Sequence, residues 1–102
     1  MIGIVIVTHG HLGQEVQKTA EFIVGSLEGC ATVSIDGSKA PDAVKKMIGT
    51  AIGEVDKGRG VLLLTDMFGG TPSNISLAFL EEGKVEVLTG VNLPMLIKAV
   101  QI

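Results

Sequence analysis

Four short, almost wholly aliphatic runs recur along the chain: Ile2 to Val7, Cys30 to Ile35, Val61 to Thr65 and Val85 to Leu88. A run that is apolar at nearly every position suits a strand covered on both faces, as in a parallel sheet. Parallel neighbours need a crossover between them. Each gap supplies one, because apolar residues recur there at helical spacing. After the first run, Leu12, Val16, Ala20, Ile23 (with Val24) and Leu27 form a stripe opposite Gln14, Gln17, Lys18 and Glu21, with Gly25 and Gly29 placed to close the helix. A second helix starts near Pro41, buries Val44, Met47, Ile48, Ala51, Ile52 and Val55, and ends in the loop from Asp56 to Gly60. A third starts at Thr71-Pro72, threonine serving as cap and proline as first helical residue. Its inner face is Ile75, Ala78 and Phe79, and Gly83 stops it. A last short helix runs from Leu93, with Leu96, Ile97 and Val100 as its stripe.

This β-α alternation predicts an α/β fold: a three-layer α/β/α sandwich around a mainly parallel four-stranded sheet. Right-handed crossovers favour strand order 2-1-3-4. The 102 residues make one domain, 1–102, too short for two. With 46% hydrophobic residues but only three Phe and no Trp or Tyr, its core is aliphatic. The net charge of −3 is spread without a basic cluster, which argues against a nucleic-acid partner. No stretch approaches the roughly 20 apolar residues of a membrane span. The N-terminus lacks the basic start and long apolar run of a signal peptide. The single cysteine, Cys30, has no internal partner and reads as a small buried hydrophobe. The expectation is a cytoplasmic protein.

In order 2-1-3-4 the first and third strands are neighbours, and ligands bind at the carboxyl ends of strands beside such a switch point. Two residues with chemistry stand there: His9 after the first strand and Asp66 after the third. If Asp66 accepts a hydrogen bond from one ring nitrogen of His9, the other nitrogen keeps a lone pair aimed at the crevice. General base, metal ligand and nucleophile are all open to that nitrogen. The surroundings suit an anion. Gly69, Gly70, Thr71, Pro72 and Ser73 form a glycine-rich turn into a helix N-terminus, with exposed N–H donors and the positive end of the dipole. Gly10 turns the corner into the first helix in a similar way. A phosphoryl group on His9 would be held by these backbone donors, with the hydroxyls of Thr71 and Ser73 adding contacts. Neither loop contains lysine or arginine.

At these residues the chain resembles a known family. VTHGHLG (Val7 to Gly13), LLTDMFGGTPSN (Leu63 to Asn74) and GVNLPML (Gly90 to Leu96) look like the EIIA domain of the mannose-type (mannose/fructose/sorbose) bacterial sugar phosphotransferase system. The three motifs occur in the family's order and spacing over nearly the whole chain. The resemblance implies that His9 takes a phosphoryl group from phosphorylated HPr and passes it to an EIIB domain, with Asp66 orienting the ring. It implies a homodimer, contact with the membrane components EIIC and EIID only through EIIB, and no cofactor. Relatives usually continue past this point, so the family's C-terminal extension is expected to be missing here. A regulatory carrier or one feeding dihydroxyacetone kinase fits the same resemblance.

Other readings compete. His11, two residues from His9, suits a divalent metal in an H-x-H pair, although an exposed loop histidine is the simpler reading. A metal-dependent hydrolase using His9, His11 and Asp66 would need further ligands, and the chain has no third histidine. A histidine phosphatase lacks an arginine before His9-Gly10, and a plain anion-binding module leaves the His9–Asp66 pair unexplained. Asn92 and Pro94 read as a turn, and Met67 and Phe68 as an apolar rim suited to a partner.

Overall fold

A computed structural model describes residues 2–102; Met1, the first residue of the expected domain, lies outside them. The elements follow the expected order: β1 (Gly3–His9), α1 (Leu12–Val24), β2 (Cys30–Ile35), α2 (Pro41–Val55), β3 (Val61–Thr65), α3 (Thr71–Ser76), β4 (Val85–Thr89) and α4 (Leu93–Ala99). One 3-10 turn, Leu77–Phe79, extends α3. The sheet order is β2-β1-β3-β4, and every strand pair is parallel. No helix of the described residues is long and apolar enough to cross a membrane.

Alternation along β1 divides the core in two. Val5 and Val7 point to the α2 side, where they join Val33, Val44, Ile48 and Leu63. Ile4 and Ile6 point to the other face and join Ala20, Leu64, Leu96 and Ala99 of the surrounding elements. Each fully buried aliphatic side chain contributes about 1.5–3 kcal/mol. β1, buried from Gly3 to Thr8, is therefore the most strongly held strand, and the site hangs from its end.

Three local expectations differ from the structure. In α1, Ala20 is buried, but Leu12 (48% exposed) and Ile23 (56%) are not. Gly13 is the cause: an added Cβ would meet Ile6 and Thr8 at 3.0–3.3 Å, so the helix approaches the sheet along Gly13, Val16 and Ala20 and turns Leu12 and Ile23 onto its flank. In α3, Ala78 is exposed because the chain tightens into the 3-10 turn after Ser76, and the helical segment ends before Gly83. Thr71 is not the cap. Gly70 occupies that position, with no side-chain cap bond, and Thr71 is the first helical residue. Asn92 does cap α4, its side chain accepting the Met95 N–H at 2.8 Å.

Candidate functional site

β1 runs two residues further than its apolar pattern suggests, pairing His9 with Ile35 of β2. On its other side it pairs with β3, whose last rung is Val7 opposite Thr65. That ladder opens with the Gly3 N–H on the Gly60 carbonyl, so its period would bring the His9 N–H to the Asp66 carbonyl. The Asp66 carboxylate takes that place instead: Oδ2 accepts the His9 backbone N–H at 3.0 Å. The same oxygen lies 2.8 Å from His9 Nδ1. An ionised carboxylate only accepts, so Nδ1 carries the proton and Nε2 is left with the lone pair. Burial pushes the Asp66 carboxyl up, but the His9 ring and backbone hydrogen bonds and the attraction to the ring outweigh it and hold the group below its ordinary value. Its second oxygen, Oδ1, is buried without a partner among the described residues.

Behind each functional residue stands a buried threonine. Thr8 Oγ1 accepts the Gly13 N–H at 2.8 Å and so ties the end of β1 to the first turn of α1. Thr65 Oγ1 meets Ser73 Oγ at 2.6 Å, and Ser73 in turn donates to the Met67 carbonyl. This network closes the 66–73 loop on itself. Ser73 is 1% exposed and so does not present its hydroxyl to the crevice; it shapes the loop from below.

The loop passes beneath the His9 ring. A Cβ on Gly70 would lie 2.8 Å from His9 Cε1 and 3.3 Å from Nε2, so only glycine lets the turn come this close. Gly69, at φ +86°, turns the chain into that approach. Asn74 N–H bonds the Gly70 carbonyl, whereas the N–H groups of Thr71 and Ser73 belong to the helix start, where no intrahelical acceptor exists. Gly10 differs: its N–H is engaged by the Ile35 carbonyl at 2.8 Å, so it shapes the corner and offers no donor.

His11 is exposed and precedes α1 without a side-chain bond. Its charge reaches Asp36, whose carboxyl is held below its ordinary value, chiefly by hydrogen bonds from Ser38 and least by His11. Among the described residues no three His, Cys, Asp or Glu side chains come together as a metal site, so His9, His11 and Asp66 do not form the ligand set a hydrolase would need.

A cleft of about 330 Å³ opens beside His9 and Thr71, lined also by the apolar Ile35, Val44 and Ile75 and by Asp36, Gly37 and Lys39. Lys39 belongs to none of the three sequence motifs. The signal was there, because the loop after β2 must sit beside the end of β1 in this strand order. Met67 (54% exposed) and Phe68 (80%) form the expected apolar rim.

Residues 3–102 match the family model described as "PTS system fructose IIA component". The chain is 35% identical over 99 residues to the mannose-specific EIIAB component of the phosphotransferase system of Escherichia coli strain K12. That match covers 95% of this chain and 30% of the relative's length. A crystal structure of phosphotransferase system component EIIA from Streptococcus agalactiae superposes with a TM-score of 0.87 at 32% identity, covering 99% of this chain and 78% of the other. The PTS IIA protein associated with the fucose utilization operon of Streptococcus pneumoniae gives a TM-score of 0.89 at 28% identity, over 98% and 76% of the two chains.

Proposed function

The chain belongs to the mannose-type EIIA family of phosphotransferase components, and on that premise we propose that it is a phosphohistidine carrier working through His9. The observation that carries this reading is the pair of bonds from His9 to one Asp66 oxygen, which leaves Nε2 as the only free ring nitrogen. In the reaction, the Nε2 lone pair attacks the phosphorus of phosphorylated HPr. The Nε2–P bond forms as the donor's N–P bond breaks, and the donor ring keeps that electron pair. The Nδ1 proton stays on His9, so the ring gains positive charge, which faces the Asp66 carboxylate. Positioning and electrostatics do most of the work in such transfers. The phosphoryl oxygens meet the N–H and hydroxyl of Thr71, at the turn that Gly69 and Gly70 shape and Ser73 supports from below.

The second transfer is the reverse step onto an acceptor in an EIIB domain. The chain works in the cytoplasm as a homodimer and meets EIIC and EIID in the membrane only through EIIB. Met67 and Phe68 suit docking of either partner, being apolar and exposed beside the site.

Incubation with phosphoenolpyruvate, enzyme I and HPr, followed by intact mass, tests the reading. The expected result is an acid-labile gain of one phosphoryl group that His9→Ala abolishes. Normal acceptance by the His9→Ala protein would remove the central claim.

A further inference from the structure

We propose that Lys39, from the loop after β2, is the cation that stabilises the phosphoryl group on His9. This rests on the carrier reading and adds a residue to it. The charges at the site call for a cation. A phosphoryl group brings up to two negative charges next to Asp66, already ionised and held below its ordinary value. Asp66 Oδ1 is buried and has no donor among the described residues to offset it. The opposing groups on α3 are a few N–H dipoles of a six-residue helix. Lys39 is the one cationic side chain among the described residues lining the cleft that holds His9 and Thr71. It takes part in none of the ion pairs formed among those residues.

The loop is also shaped for this. Asp36, the other charge in the cleft, is turned back on its own chain, Oδ1 accepting the Ser38 N–H at 2.9 Å. It therefore holds the loop in a tight turn and leaves the Lys39 ammonium uncommitted. Lys39 then acts on the phosphorylated state and not on the empty one, where no anion faces it. The empty carrier keeps an open cleft for its partner, and the loaded one gains a contact.

Stabilising the loaded state has a thermodynamic signature that docking cannot imitate. The equilibrium partition of phosphoryl groups between HPr and this chain depends only on the free phosphorylated and unphosphorylated proteins. A residue that merely recruits HPr changes the rate and leaves the partition alone. The experiment mixes phosphorylated HPr with the full chain, without phosphoenolpyruvate, and reads both proteins by intact mass over time and at equilibrium.

At low ionic strength, Lys39→Gln is expected to shift the partition about fivefold toward HPr. The shift shrinks at high salt as the interaction is screened, and Lys39→Arg stays within about twofold of the unaltered chain. An unchanged partition in Lys39→Gln overturns the proposal, and a slower approach to that same partition assigns Lys39 to docking instead. If the unaltered chain takes no phosphoryl group at all, the carrier reading itself has failed, which the same control shows separately.

Discussion

The ends of β1 and β3 look alike and behave differently. Each strand carries a buried threonine at or next to its end, followed by a candidate site residue, and each threonine is bonded to the helix that follows. Thr8 spends its oxygen on a main-chain donor, the Gly13 N–H. One first-turn donor of α1 is thereby engaged, and so is the Gly10 N–H. Thr65 instead bonds a side chain, Ser73, which is anchored to the Met67 carbonyl. The start of α3 is held just as firmly, and its exposed Thr71 N–H has no intrahelical acceptor. Both helix starts keep first-turn N–H groups without an intrahelical acceptor, but only α3 follows a glycine turn packed against the His9 ring. On the proposed carrier reading, the α1 end presents the nucleophile and the α3 end the cradle. A glycine-rich corner is thus a poor guide to anion binding until its donors are accounted for.

Substitutions can break this division of labour, beginning with the largest expected effect. Gly70→Ala drives a methyl into the His9 ring while keeping an ordinary backbone at φ −85°. Phosphoryl acceptance should fall about a hundredfold, since a displacement near 1 Å is worth that much. Thermal unfolding should barely move, because the ring is on the surface. Acceptance at the normal rate would mean that the ring does not need this approach.

Ser73→Ala and Thr8→Val sharpen the comparison. Each removes one buried hydrogen-bond partner and should cost about 1–3 kcal/mol in denaturant unfolding. Only Ser73→Ala should slow transfer, by about tenfold, because it loosens the loop that carries both Asp66 and Gly70. Equal slowing in both would mean that the two strand ends are not specialised.

The smallest effect is on stability in acid. Because the folded protein holds the Asp66 carboxyl below its ordinary value of 3.8, the group's contribution is complete above that pH and is lost as the pH falls through the depressed value. Unfolding followed by circular dichroism between neutral pH and acid should show the unaltered protein losing more stability than Asp66→Asn over that window. Parallel curves would show that the bonds from His9 do not hold the carboxylate charged.

The fold was legible because its signals are local. Apolar runs and helical spacing gave every element in order, and His9 and Asp66 met once the strand order was known. The parts that stayed hidden depend on distances between segments. Nothing near Gly13 in the chain says that it rests on Ile6 and Thr8 and rolls Leu12 and Ile23 outward. Gly70 looks like any turn glycine until the His9 ring is seen above it. Ser73 reads as a helix-start hydroxyl, but its tie to Thr65 carries it below the site. Lys39 lies outside all three sequence motifs, in the loop after β2, and only the strand order brings that loop beside the end of β1.

The single oxygen of Asp66 that receives both His9 hydrogen bonds has a mechanical consequence. Main chain and ring share one pivot, so the nucleophile cannot swing without also tugging on the last rung of the sheet. Met67 and Phe68 follow Asp66 directly and stand out into solvent. Any displacement of the Asp66 side chain therefore moves the ring and the strand end together.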